Sequence, residues 1–470
     1  MNHHLYFSRL DRPVETCLIG AGGFGRSFIA QAMKTPKMRA RVAVDVRIET
    51  VDTLYRDLGV PADRIRACRT AAEAQAAWAD GAWIAAENLA VVLPLPLDVV
   101  VEATGHPEAG ARHSEMAIEA GKHVVLVSKE VDSVVGPVLF HLACERGRVV
   151  SPVDGDQPSL LIGLVTWAET LGLEIVAAGK SSEYDFVFDP ATGTLTSNGR
   201  KIDAPGFAEL MAPGERDMAG VIAERSRLAA RLPQRTVPDL CEMQVVGNAT
   251  GLAPDTPGFH SPILRIDEVP TVFATREDGG LLSGTRRLDV FNCLRTPSEL
   301  SFAGGVFVVV RCDDAPTWQL LAEKGHVLGR RRNTALLWLP RHLLGLEAAT
   351  SVLGAALGEP TGGMAPAHRL DLVAVATRDL EPGARLDAVG HHHSIDGVGA
   401  ELRPAGPLVP GAPLPYYLVA NRELLHPVGR GQAITLGDVA LDPSSTLVSL
   451  RALQDRIFFD DRMPGRSPRS

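Results

Sequence analysis

The chain has little aromatic material and no long apolar run. Aromatics make up 5% of its 470 residues. The best apolar stretch, Leu89 to Leu97, is interrupted by Pro94 and Pro96 and followed by Asp98. A membrane helix needs roughly 18 or more consecutive apolar residues, so a membrane partner is excluded. There is no basic excess: 47 Lys and Arg stand against 56 Asp and Glu, a net charge of −9. Nucleic-acid binding needs a concentrated basic face, and the densest basic run, Arg330-Arg331-Arg332, reads as a solvated loop. The six cysteines (Cys17, Cys68, Cys144, Cys241, Cys293 and Cys312) include no CxxC pair. That spacing excludes a disulfide framework or zinc site and fits reduced thiols in a cytoplasmic protein. Met1 to Phe7 lacks the basic and apolar regions of a signal peptide.

What the chain does have is 45% hydrophobic and 22% charged residues, with 45 glycines and 33 prolines. Such a composition builds sizeable cores and excludes disorder as the main state. At roughly 150 residues per domain the length predicts about three domains. The pattern along the chain divides it at 1–155, 156–365 and 366–455, with a tail over 456–470. The first segment alternates short apolar runs with helical spacing, the mark of a parallel α/β sheet. Thr16–Ile19, Arg41–Val46, Asp98–Ala103 and Lys122–Val127 are predicted strands. Arg26–Lys34, Glu49–Leu58 and Ala109–Ala120 are predicted helices. The second segment is read as α+β, with strands at Leu173–Ala178 and Gly305–Arg311 and a buried helix over Arg341–Leu357. Gly358 to Pro366 reads as a linker, and the third segment alternates β-branched runs with Pro-Gly and Gly-Asp turns. The polar tail from Phe458 is expected to be disordered.

Gly20-Ala21-Gly22-Gly23-Phe24-Gly25 fits G-x-G-x-x-G. The motif is weak alone, but a strand leads in, a helix leads out, and Asp45 lies 20 residues beyond Gly25. Gly20 makes the tight turn, Gly22 admits a pyrophosphate and Gly25 permits close helix packing. Asp45 would bind the adenosine ribose and so favours NAD, whereas Arg47 could receive the 2′-phosphate of NADP. Thr104 and Gly105 end a further strand on the carboxyl edge, where a dinucleotide would pass. His106 beside them is either a nicotinamide contact or a surface histidine.

DVVVEATG at 98–105 and AGKHVVLVSK at 120–129 resemble the nucleotide-binding domain of homoserine dehydrogenases. In that family a lysine after this strand reaches the substrate oxygen, and Lys129 matches it. Further motifs resemble a narrower group, homoserine-dehydrogenase-like oxidoreductases with a C-terminal SAF domain. They are Gly155–Pro158, Val176–Lys180, Glu242-Met243 leading to Asn248–Leu252, Gly305–Arg311 and Arg341–Glu347. The resemblance covers Thr16 to about Leu450. It implies an N-terminal Rossmann domain, an α+β catalytic and dimerisation domain, and a small mainly-β SAF (β-clip-like) domain. One branch of the group, the deoxyxylulose-phosphate reductoisomerase-like enzymes, converts 1-deoxy-D-xylulose 5-phosphate to 2-C-methyl-D-erythritol 4-phosphate. The resemblance thus implies NAD or NADP as cofactor, a polyol or sugar phosphate as substrate, and a homodimer or homotetramer.

Carbonyl reduction needs a group that polarises the oxygen and donates a proton. Lys180 is the first candidate, because its apolar neighbours Val176–Gly179 would bury it and lower its pKa. Lys129 and Glu242 would orient substrate. Asn248 belongs to a turn that Glu242 precedes, and His260 sits in a Pro-Gly loop that could close on a phosphate or carboxylate. Glu183, Asp185, Asp154 and Asp156 add carboxylates that could hold Mg or Mn, though their spacing carries no metal signature. The adjacent His391, His392 and His393 point alternately and make a poor metal tract. A simple alcohol dehydrogenase and a non-catalytic nicotinamide-bound sugar sensor stand as the alternatives.

Overall fold

Runs of Val, Ile, Leu and Ala without alternation suit strands covered by helices on both faces. In the computed structural model, which describes residues 2–362, 365–390 and 393–460, seven such runs pair. They are β1 (Val14–Ile19), β2 (Met38–Val44), β3 (Ile65–Cys68), β4 (Trp83–Ala86), β5 (Val99–Glu102), β6 (His123–Leu126) and β7 (Val150–Pro152). Their order is β3-β4-β2-β1-β5-β6-β7, and every pairing is parallel. The strand order reverses between β1 and β5, so the crevice for a ligand opens at the carboxyl ends of these two strands.

The chain separates into two compact units. The first holds residues 1–159, 343–399 and 404–470, and the second holds 160–342 and 400–403. Ala348, Val352, Leu353 and Ala355 complete the core of the first unit with Leu18, Ile29 and Val101. The single buried helix expected over Arg341–Leu357 is not formed. A short 3-10 turn, Leu344–Leu346, precedes a helix confined to Ala349–Ala356, and Leu343, Leu344 and Leu346 are exposed. Gly345 explains the break: a Cβ there would lie 2.5 Å from the Phe28 nitrogen, so the turn docks through its bare backbone.

A small sheet of order β17-β20-β19-β18 follows, from β17 (Leu370–Ala376), β18 (Ala388–Val389), β19 (Ser394–Ile395) and β20 (Val398–Pro404). The tail predicted from Phe458 is corrected in part. The helix Thr446–Phe459 runs through Phe458 and buries Phe459. The helix packs on the helices Pro107–Glu119 and Lys129–Glu145, and the Phe459 ring lies 5.0 Å from that of His368. The rest of the tail, 461–470, and His391 and His392 lie outside the described residues.

The second unit is built on a mixed sheet. Its strands are β8 (Ile175–Ser181), β9 (Phe186–Asp189), β10 (Thr194–Ser197), β11 (Arg200–Asp203), β12 (Ala253–Pro254), β13 (Ile263–Leu264), β14 (Arg287–Arg295), β15 (Val306–Arg311) and β16 (Thr334–Leu339). The main order is β11-β10-β9-β14-β8-β15-β16, with β12 and β13 on β14. One face is filled by Phe291, Phe307 and Val309. All six cysteines are free thiols, and among the described residues no helix is long and apolar enough to cross a membrane.

Candidate functional site

The glycine turn of the first unit divides its glycines by task. Gly20 has φ +98°, and a Cβ on it would lie 2.5 Å from the Ala103 carbonyl oxygen. A Cβ on Gly25 would lie 2.2 Å from the Gly20 oxygen. Gly22 and Gly23 face open space, with nothing within 4 Å of where a Cβ would stand. The helix Gly23–Ala32 begins there, and its N-cap Gly22 supplies no side-chain cap. Bare N–H groups and a positive helix end beside an open strip suit a pyrophosphate. Phe24 packs on the core instead of facing this strip. A cavity of about 450 Å³ adjoins it, lined by Ala21, Gly22, Gly23, Arg26, Arg47 and Thr50 among others. Asp45 Oδ2 accepts from the Ala21 N–H at 2.9 Å and Oδ1 from the Arg47 N–H at 3.2 Å. Asp45 therefore braces the turn, and Arg47 stands exposed at the cavity wall. These residues fit a dinucleotide.

At the neighbouring strand end, Thr104 turns inward. Its hydroxyl and N–H donate to Oε1 of the buried Glu102 at 2.5 and 3.2 Å. Gly105, at φ +66°, donates its N–H to Ser128 Oγ at 2.8 Å. His106 is a helix cap, its Nδ1 accepting from the Ala109 N–H at 3.3 Å. Lys129 opens the helix Lys129–Glu145, half-buried. Burial raises the carboxyl of the next residue, Glu130, to about 7 despite the Lys129 ammonium.

In the second unit Lys180 lies within β8, opposite Val290 of β14 and Val306 of β15. It is 1% exposed. Its surroundings are not the apolar ones expected: Nζ contacts Glu242 Oε2 and lies 2.8 Å from Asp239 Oδ1. Two carboxylates against one buried amine oppose the effect of burial on its charge. Asp239 is held in turn by the hydroxyls of Ser182 and Thr236, each at 2.8 Å. Both acids come from the helix Val237–Thr250, three residues apart and hence on one face. Asn248 belongs to this same helix and not to a turn, and helical spacing sets it about 120° round from Glu242.

His260 belongs to a separate constellation. Its Nδ1 lies 2.6 Å from Asp289 Oδ2 and its Nε2 lies 3.6 Å from Asp255 Oδ2. The Asp289 hydrogen bond is the largest cause holding the His260 pKa above the ordinary imidazole value. Asp289 pairs with Gly179 across the sheet, one residue before the pair Val290 and Lys180. Because side chains alternate along a strand, Asp289 and His260 lie on the opposite face from Lys180. The histidine side chain is 18% exposed.

Residues 20–151 match the homoserine dehydrogenase NAD-binding domain family. Residues 235–348 match the catalytic domain of oxidoreductase DRL. Two separate segments of the chain thus match oxidoreductase domain families, one of them NAD-binding. No curated protein matches it. Among solved structures, an NAD-binding protein from Listeria innocua is 17% identical with a TM-score of 0.25, covering 37% of this chain and 46% of its own. The WlbA dehydrogenase from Bordetella pertussis is 18% identical with a TM-score of 0.27, covering 37% and 48%. The chain thus spans about half the length of these two. A probable dehydrogenase from Thermotoga maritima is 10% identical with a TM-score of 0.37, covering 75% and 93%.

Within the oxidoreductase catalytic segment the sequence reading missed Asp239, Asp255 and Asp289. Asp239 was open to discovery, since Thr236-Val-Pro-Asp239 is a helix-start pattern and Glu242 stands three residues on. Asp289 sits inside an otherwise apolar strand and only the fold explains it. The other carboxylates have structural partners: Asp185 pairs with Arg295 at 2.6 Å, and Asp154 accepts from Thr350 Oγ1 at 2.6 Å. Asp156 accepts from the Gln157 N–H at 2.9 Å, and Glu183 is exposed. Among the described residues no group of three or more His, Cys, Asp or Glu is placed to hold a metal.

Proposed function

We propose that the protein is an NAD(P)-dependent oxidoreductase acting on a small hydroxylated carbonyl compound, with Lys180 as proton donor and acceptor at the substrate oxygen. The observation that carries this reading is the buried Lys180 ammonium gripped by Glu242 and Asp239, both within the segment that matches the DRL catalytic domain. A bound nicotinamide supplies or takes up the hydride. Lys180 gives its proton to the oxygen during reduction and recovers it during oxidation, while the two carboxylates keep the amine positioned and charged. Lys129 and Glu242 orient substrate. The finer reading is reduction with rearrangement of 1-deoxy-D-xylulose 5-phosphate, supported by the same match; dehydrogenation without rearrangement is its rival. The C-terminal module is read as SAF-like, the assembly as a homodimer or homotetramer, and the compartment as the cytoplasm.

A second reading makes His260 the acid and base, oriented by Asp289, because the histidine is partly open to solvent whereas Lys180 is not. The two separate by mutation. Lys180→Gln is expected to lower kcat by about 10²–10⁴ with cofactor affinity retained and the melting temperature lowered, because Asp239 and Glu242 lose their buried cation, and His260→Ala to change kcat by less than about tenfold. The reverse ranking assigns the role to His260. Product analysis by NMR with deoxyxylulose phosphate and NADPH or NADH decides between rearrangement and simple reduction. Binding of cofactor without turnover of any polyol phosphate would instead make the protein a sensor.

A further inference from the structure

Part of the C-terminal module reaches the edge of the parallel sheet where the dinucleotide would lie. Among the described residues, a Cβ built on Gly105 has one neighbour within 4 Å, His393 Nε2 at 3.9 Å. Gly105 lies three residues beyond the end of β5, the strand that pairs with β1 ahead of the glycine turn, and takes φ +66°. His393 stands just before β19 with φ +48°, in the left-handed region that a non-glycine residue adopts only when its surroundings enforce it.

Those surroundings are on both sides. The Tyr416 hydroxyl donates to the His393 carbonyl at 3.1 Å and accepts from the Ile395 N–H at 3.0 Å. The Tyr417 ring stands edge-on to the imidazole with centroids 6.3 Å apart. The terminal helix ties the C-terminal module to the two helices that begin at the same sheet edge. Glu108, in the helix that follows Gly105, accepts from the Thr446 N–H at 2.8 Å and the Leu447 N–H at 3.3 Å. Gln454 bridges the Val134 carbonyl at 3.0 Å and the Val138 N–H at 3.1 Å in the helix that begins at Lys129.

We infer that His393 is a cofactor-contacting residue, supplied by the C-terminal module to the nicotinamide half of the dinucleotide. The inference rests on the reading of Gly105 as part of the cofactor edge. A ring nitrogen there can donate to or accept from a ribose hydroxyl or the carboxamide, whereas the adenosine ribose is assigned to Asp45 at the end of β2.

The test is equilibrium binding of NADH and NADPH, read by nicotinamide fluorescence, together with ADP, which carries only the adenosine end. His393→Ala in the full chain is expected to weaken the reduced cofactor by about tenfold and to leave ADP affinity unchanged, with His393→Gln restoring part of the loss. Wild-type affinity in both variants overturns the inference, and so does an equal loss for ADP, which would mean a structural role. Gly22→Val serves as the control for the site itself. If that variant loses cofactor while His393→Ala does not, the cofactor site stands and only the assignment of His393 falls. If the wild-type chain binds neither nucleotide, both fall together.

Discussion

Asp132 shows how a single residue can carry a pH dependence that its sequence position conceals. It lies in the first turn of the helix Lys129–Glu145, where an acid ordinarily gains from the helix dipole. Here the side chain folds back over Gly136, whose missing Cβ leaves the room: a Cβ there would lie 1.8 Å from Asp132 Oδ1. Burial raises its carboxyl to about 7. The unfolded chain ionises near the ordinary value and the folded one does not, so this residue costs stability as pH rises from about 4 to about 7. Asp132→Asn is therefore expected to gain over wild type across that window and level off above it. The full swing across that window should be on the order of 4 kcal/mol. Urea unfolding at pH 5 and pH 8 measures it, and a constant offset between the two pH values would refute the account.

Among the elements, legibility followed burial pattern. The strands β1, β5 and β6 were readable because both faces are covered, which leaves uninterrupted apolar runs. The stretch from β3 to β4 was not, because its intervening helix Ala71–Ala79 is mostly alanine and carries little contrast between faces. The terminal helix Thr446–Phe459 was hidden for the opposite reason. Its buried face includes Arg451, Gln454 and Asp455, which in a sequence look like surface residues. Arg451 is fully buried, bonding Asp371 at 2.7 and 2.9 Å and Asp455 at 2.8 Å. Burial alone would raise the Asp371 pKa, but Arg451 and His368 outweigh it and hold it well below the usual carboxylate range. At the candidate site, the sequence singled out the glycine turn, Lys180 and Glu242; the helix Val237–Thr250 adds Asp239 to them, while the separation of His260 depended on sheet register. Arg451→Ala leaves two buried carboxylates without their cation and is expected to cost about 3–5 kcal/mol. Replacing Arg451 and Asp371 together by Met and Asn should recover part of that, as denaturant titration of the single and double variants would show.

On the scale of the whole molecule, the first unit is discontinuous in sequence, and this has a consequence for truncation. All seven strands of the parallel sheet lie before residue 153, so the sequence presents 1–155 as a domain complete in itself. Its core nevertheless contains Ala348, Val352, Leu353 and Ala355. Fully burying a Val or Leu side chain contributes roughly 1.5–3 kcal/mol, and domains have only about 5–15 kcal/mol of net stability. Losing this helix, together with the terminal helix that covers Pro107–Glu119 and Lys129–Glu145, removes a comparable amount and exposes the apolar faces beneath. A chain ending at His342 keeps every residue of the glycine turn, yet it is expected to melt without a cooperative transition and to lose NADH and NADPH binding. Supplying residues 343–470 as a separate polypeptide should restore both in part. Cooperative melting and full cofactor affinity in the shortened chain alone would show that the parallel sheet stands by itself, and that residues 343–470 are an appendage to the first unit instead of a part of its core.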